Sequence, residues 1–420
     1  MNFSTVQFLF VFLPLAWLVF HIGFRVHTVG RENLRKVQTK GCIIAPNHVS
    51  AIDPVFIVIS RFWGRRMLVF AKKELFEINA LLTWFLLGIT QLLTESRAAL
   101  TACAALCIAT FPTALFSTFI YGTLASAACC AGAVYYAMQA VRGGRWRHYL
   151  AACCLMALAI LAKPNSAVFL VGLGLLYALA ALRQRKARPL AGLALTVSLC
   201  LAASEAMLLG MEAVSGFDLH SGEPFTAWIA MGLQEGPLGP GWFNQYNDIL
   251  YVLHQGDGAA ITAEAWEMIK ARCLTFVQSP GYAAHFFGLK TLTQWCEPTY
   301  ASFWASCSAL LDNLAPAAIR TFYAGPMHHA AVFAADVVQA LTYSGTAAAL
   351  WLRRRSWSAE ALIPAVIVFG GFVFHTFWEA KSLYIWSYAV MMIPYAAAGL
   401  PAAYSAVAKR LRARRACAQK

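Results

Sequence analysis

With 60% hydrophobic and only 12% charged side chains over 420 residues, and a mean hydropathy of +0.59, the chain is excluded from the soluble globular class. It has the composition of a polytopic membrane protein. A net charge of +14 would suit a nucleic-acid partner, but the basic residues fall in short clusters between apolar runs, as cytoplasmic loop charges do.

Taken in order, residues 5–23 are apolar and uncharged, long enough to anchor in a membrane. No basic residue precedes them and no small-x-small site follows, so a cleavable signal is not expected. Arg25, Arg31, Arg35, Lys36 and Lys40 come next and assign that side to the cytoplasm.

Residues 41–45 then read as a short buried strand, followed by Asn47-His48-Val49-Ser50-Ala51-Ile52-Asp53-Pro54. A histidine and an aspartate can act as a base and the group that orients it. Five positions along an ideal helix would set them about 140° apart, so a simple helix face is excluded. Pro54 disfavours αR at Asp53 and suits the first position of a new helix, whose N–H groups would face an anion. Residues 67–70 are expected as a second strand. Two strands and one or two helices cannot bury a sheet alone, so a small, incomplete α/β element is expected near residues 41–76.

Val29-Gly30-Arg31-Glu32-Asn33-Leu34 stands before the His48 block, and Phe70-Ala71-Lys72-Lys73-Glu74-Leu75-Phe76 after it. In that order and spacing the three blocks resemble the glycerolphosphate acyltransferase superfamily, specifically 1-acylglycerol-3-phosphate acyltransferases, over roughly residues 15–90. The resemblance implies His48 as general base on a lysophospholipid hydroxyl and Asp53 as its orienter. The acyl donor would be acyl-CoA or acyl-carrier protein, with no tightly bound cofactor and no metal. The family's later Gly-and-Arg and Phe-Pro-Glu-Gly blocks, which hold the acceptor phosphate, have no counterpart here.

Past Ala98 the character changes. Apolar segments near 98–118, 123–141, 148–162, 165–182, 189–211, 330–352, 359–378 and 382–407 predict about eight or nine spans. Arginine clusters at 142–147, 183–188, 353–355 and 409–415 alternate with them and belong to the cytoplasmic face. That leaves residues 212–326, where carboxylates outnumber Lys and Arg, outside the cytoplasm. Trp228, Trp242, Trp266, Trp295 and Trp304 predict that this stretch packs or lies on the membrane. Asp218, Glu223, Glu235 and Asp248 are candidate acids or ligands, more simply read as solvated. Most cysteines sit in apolar runs as small hydrophobes. Cys273, Cys296 and Cys307 could supply one disulfide if their loop is extracytoplasmic.

Phe111-Pro112, Phe119-Ile120-Tyr121-Gly122, Ala162-Lys163-Pro164-Asn165, Trp228-Ile229-Ala230-Met231-Gly232-Leu233 and Gly241-Trp242-Phe243-Asn244 resemble bacterial multi-spanning glycosyltransferases of the GT-C type. The likeness covers about 98–407 and implies a polyprenyl-phosphate sugar as donor. The family's catalytic aspartate belongs to its first extracytoplasmic loop, and no residue here matches it.

The expected architecture is therefore mainly α: a polytopic inner-membrane protein with residues 1–93 as anchor plus partial acyltransferase-like element, and 98–420 as the polytopic region. Membrane acyl transfer in phospholipid biosynthesis, with its site in the cytoplasm, is the first functional expectation. A GT-C-like transferase is the alternative, and an inactive composite of two truncated parents is a third.

Overall fold

The computed structural model describes residues 73–117, 122–216, 222–306 and 317–418. His48, Asp53 and all but the last four residues of the α/β element expected near residues 41–76 lie outside them. Within the described residues the chain is almost wholly helical, and one two-stranded antiparallel ribbon, Glu235–Gly236 with Gly239–Pro240, is the sheet content.

Helices α1 (Lys73–Leu93), α2 (Arg97–Ala109) and short α3 (Pro112–Phe116) lead to α4 (Thr123–Gly143), α5 (Trp146–Ala162), α6 (Ala167–Gln184) and α7 (Arg188–Ser215). Four further helices, α8 (Phe225–Gly232), α9 (Tyr246–Leu253), α10 (Gly258–Gln278) and α11 (Pro280–Trp295), with short α12 (Ser302–Ser306) and α13 (Ala317–Ala324), form the region between α7 and α14. Finally α14 (Pro326–Leu352), α15 (Ala359–Phe377) and α16 (Ser382–Ala418) return through the bundle. Five helices are long and apolar enough to cross a membrane, namely α4, α6 with its preceding 3-10 turn, α7, α15 and α16. The chain is thus the mainly α membrane protein its composition predicts.

Loop contacts fix the direction of each helix. Arg142 donates to the Leu92 carbonyl at 2.8 Å and Gln184 to that of Val141 at 2.9 Å, while Arg183 pairs with Glu360 at 3.4 Å. These contacts gather the ends of α1, α4 and α6 and the start of α15 at one end, where the arginine clusters stand. We call it the basic end. At the opposite, loop end Lys163 donates to Thr123 Oγ1 at 3.1 Å, and Ser126 and Ser166 share a 2.5 Å hydrogen bond. The region from α8 to α13 belongs to this end.

Small residues let the bundle close. Ala127, Ala131, Ala137 and Cys130 of α4 are buried. Gly345 of α14 meets Gly399 of α16 so closely that a Cβ on Gly399 would strike the Gly345 carbonyl. Membrane helices associate through such close backbone approach rather than through a hydrophobic force. Helix α1 is part of this core: Leu82, Phe85, Leu86 and Ile89 are buried, and Gly88 and Phe85 pack on Tyr135 and Gly132 of α4. The rising register (85 beside 132, 88 beside 135, 92 beside 142) makes α1 parallel to α4. Lys73 therefore belongs to the loop end.

The loop-end region packs, as its tryptophans predict. Ala227, Ala230, Leu250, Ile261 and Ala265 form a second small core. Cys273 and Cys296 are both free thiols, so no disulfide joins them, and Cys307 lies outside the described residues.

Candidate functional site

The motifs separated in sequence at Lys163, Gly232 and Gly241 meet at the loop end, around the link between α15 and α16. Trp378 begins that link and stacks on Trp228 of α8, with ring centroids 6.0 Å apart and planes 9° apart. Ala380 N–H donates to the Gly241 carbonyl at 2.7 Å, and Gly241 N–H donates to that of Gln234 at the same distance. Lys290 of α11 reaches into this junction, donating to the Gly232 carbonyl at 2.5 Å and that of Trp378 at 2.8 Å. Gly241, at φ +75°, lies so near the Lys290 ammonium that an added Cβ would fall 2.6 Å from Cε. Both backbone shape and space demand glycine there.

Three lysines and one carboxylate converge on this link. Lys163 lies 4.9 Å from the Tyr384 ring centroid, and Lys381 lies 3.9 Å from that of Trp304 and 6.0 Å from that of Tyr384. Glu379 is 3% exposed and accepts from the Tyr384 hydroxyl at 3.0 Å. Burial pushes the Lys163 ammonium down to about 7, and the charge of Lys381 adds to the effect. Burial likewise lowers Lys290 to about 7, against the opposing pull of Glu379. Burial also lowers Lys381 and raises Glu379 above the usual carboxylate range, although Tyr384 and the three lysines work the other way. A cluster of three lysines and one carboxylate has an excess of basic groups and is suited to receive an anion.

The rim is held by Glu297. Its carboxylate accepts the N–H groups of Thr299 at 2.8 Å and Ala301 at 2.6 Å, the Thr299 hydroxyl, and the Ser382 hydroxyl at 2.7 Å. Tyr300 and Ala301 follow with φ of 52° and 53°, a left-handed conformation costly for side-chain-bearing residues. The Glu297 hydrogen bonds therefore hold this turn against the first turn of α16. Just below, buried His375 stacks on Tyr384 at 6.2 Å. Neither of its ring nitrogens meets a hydrogen-bond partner among the described residues, nor does Trp386 Nε1. Polar groups in that state inside a membrane bundle are costly, and they are characteristic of functional interiors.

The carboxylates singled out in the loop do other work. Glu223 accepts from Asn247 at 3.0 Å. Glu235 accepts from Tyr282, which in turn accepts from Arg272 at 2.8 Å. Asp248 lies in the first turn of α9, and Asp218 is outside the described residues. No group of three His, Cys, Asp or Glu side chains among the described residues could hold a metal ion.

Residues 25–101 match the family model described as acyltransferase. Residues 77–207 match that of dolichyl-phosphate-mannose-protein mannosyltransferase. The two matches overlap on α1 and the first turn of α2. No curated protein and no solved structure matches the chain. The chain is thus similar to acyltransferases over its first quarter and, from α1 to most of α7, to dolichyl-phosphate-mannose-protein mannosyltransferases.

Proposed function

We propose that the helical region is a GT-C-type transferase that takes a polyprenyl-phosphate sugar at the loop end, the extracytoplasmic face of a bacterial inner membrane. The observation that carries this reading is the convergence of Lys163, Lys290 and Lys381 on Glu379 and Tyr384, beside the membrane spans. In sugar transfer the bond between the anomeric carbon and the phosphate oxygen breaks, and its electron pair stays on the phosphate. Ammonium groups placed there stabilise that developing charge. The proton released by the acceptor hydroxyl needs a base, and Glu379 is the carboxylate of the cluster placed to take it.

The test is binding of a radiolabelled polyprenyl phosphate to the purified full chain. Replacement of Lys163 by Gln should weaken it at least tenfold. Unchanged affinity in that variant would remove the site from the reading.

A second reading, fatty acyl transfer to a lysophospholipid by His48 and Asp53, is supported by the match over 25–101. The direction of α1 weighs against it. If the basic end is cytoplasmic, Lys73 lies on the far side, away from cytoplasmic acyl-CoA and acyl-carrier protein. Yet the residues from Arg25 to Lys73 are themselves basic, and the same rule assigns them to the cytoplasm. That conflict supports the third reading, a composite of two incomplete parents.

A further inference from the structure

The α6–α7 hairpin at the basic end carries a feature that the loop-end chemistry does not use. A groove there is lined by Ala178, Leu182, Arg185, Lys186, Ala187 and Leu190, with no carboxylate in its wall. The neighbouring cations are committed elsewhere: Arg183 pairs with Glu360, and Arg188 donates to the Gly144 carbonyl and covers the Trp146 ring. Arg185 and Lys186 are exposed and face the groove.

Two further observations point to what fills it. Arg185 ends α6 at φ 52°, ψ 41°, the left-handed position where glycine is the usual residue. Its side chain lines the groove. Below it, Val171, Leu175, Leu179 and Leu182 form an exposed apolar stripe at helical spacing. The eleven helical rises from Val171 to Leu182 cover about 16 Å, close to half of the ~30 Å hydrocarbon core. That is the depth of one leaflet.

We propose that this groove binds one anionic diacyl phospholipid, with the headgroup phosphate between Arg185 and Lys186 and an acyl chain along the α6 stripe. Paired cations above an apolar stripe match an acidic headgroup and its chain in charge and in length. A zwitterionic headgroup would bring its own cation against the two basic side chains and gain less.

The experiment uses the purified full chain in phosphatidylcholine nanodiscs with a trace of photoreactive phosphatidylglycerol, and peptides are mapped after irradiation. Adducts are expected on peptides spanning 175–190. Unlabelled phosphatidylglycerol should displace them at least tenfold more effectively than added phosphatidylcholine. Arg185→Glu with Lys186→Glu should reduce the adducts at least tenfold, whereas Arg354→Glu with Arg355→Glu, at the neighbouring basic loop, should not. Equal labelling by a photoreactive phosphatidylcholine, adducts that survive the first charge reversal, or adducts confined to other helices would each overturn the proposal. The wild-type displacement decides it even if the charge-reversed chain does not fold.

Discussion

Lys290 and Trp378 lie 88 positions apart, yet the Lys290 ammonium donates to the Trp378 carbonyl at 2.8 Å inside the protein. The same ammonium serves the Gly232 carbonyl, so one side chain joins α8, α11 and the link between α15 and α16. Replacing it with Met keeps the length and removes both hydrogen bonds. Each buried acceptor left unsatisfied costs about 1–3 kcal/mol. Lys290→Met should therefore lower stability by roughly 2–5 kcal/mol and loosen the Trp228–Trp378 stack. Thermal unfolding in detergent, followed by tryptophan fluorescence, measures both effects. A melting temperature within a degree of wild type would show that this tie is dispensable.

The lysine of the proposed anion site gives a pH signature. Lys163 stands at about 7 rather than its ordinary 10.5, so above pH 7 the empty site holds it largely neutral. A bound phosphate favours the ammonium and raises its pKa, so binding takes up a proton in the window above 7. Affinity is then greatest below pH 7 and falls as pH rises, by up to about tenfold per unit for one coupled proton. Binding isotherms of polyprenyl phosphate between pH 6 and 9 should show this slope. In Lys163→Gln the slope should flatten along with the lower affinity. A wild-type affinity independent of pH would remove Lys163 from the contact.

The five spanning helices among the described residues were legible because apolar runs and arginine clusters alternate, whereas the run expected at 98–118 breaks before Pro112 into α2 and α3. The stretch predicted at 123–141 is α4, Thr123–Gly143, and that at 359–378 is α15, Ala359–Phe377. Lys163 stands within the Ala162-Lys163-Pro164-Asn165 motif, whereas its charged neighbours stand in none. Lys290, Glu379 and Lys381 are single charges among aromatic residues, and nothing in local periodicity tells a buried lysine from a solvated one. A weak signal existed in Trp378-Glu379-Ala380-Lys381, two charges in a link of a few residues between two spans. Ionisable groups so close to hydrocarbon are costly and therefore suspect. The meeting of Gly232, Gly241 and Trp378 depends on how α8 and α11 pack, which no single segment encodes.

Acyl transfer has its own test. With a radiolabelled acyl thioester and a lysophospholipid, membranes containing the chain should lose transfer about 10²–10⁴-fold on His48→Ala if the histidine is the general base. Asp53→Asn should also be impaired, because the imidazole loses its charged orienter. Glu379→Gln should leave this activity unchanged and act only on sugar transfer, so the two variants separate the two readings. Equal transfer by wild type and His48→Ala would remove the dyad.

The direction of α1 leads to the most discriminating measurement. Phe85 beside Gly132 and Leu92 beside Arg142 run α1 alongside the span α4, so that its first turn points to the loop end, beyond the apolar part Ile78–Leu93. Lys73 and exposed Cys273 therefore belong to one face, and Arg354 to the other. In intact spheroplasts a membrane-impermeant maleimide, read peptide by peptide, should label Cys273 and a cysteine at Lys73→Cys together. A cysteine at Arg354→Cys should react only after permeabilisation. With that result the residues leading into α1 emerge away from cytoplasmic thioesters, and only a lipid-borne or exported acyl donor could serve His48. If Lys73→Cys instead labels with Arg354→Cys, the basic segment before α1 has overridden helix packing in setting its orientation. The acyltransferase reading would then regain its donor, and α1 could not pack on α4 in the register observed.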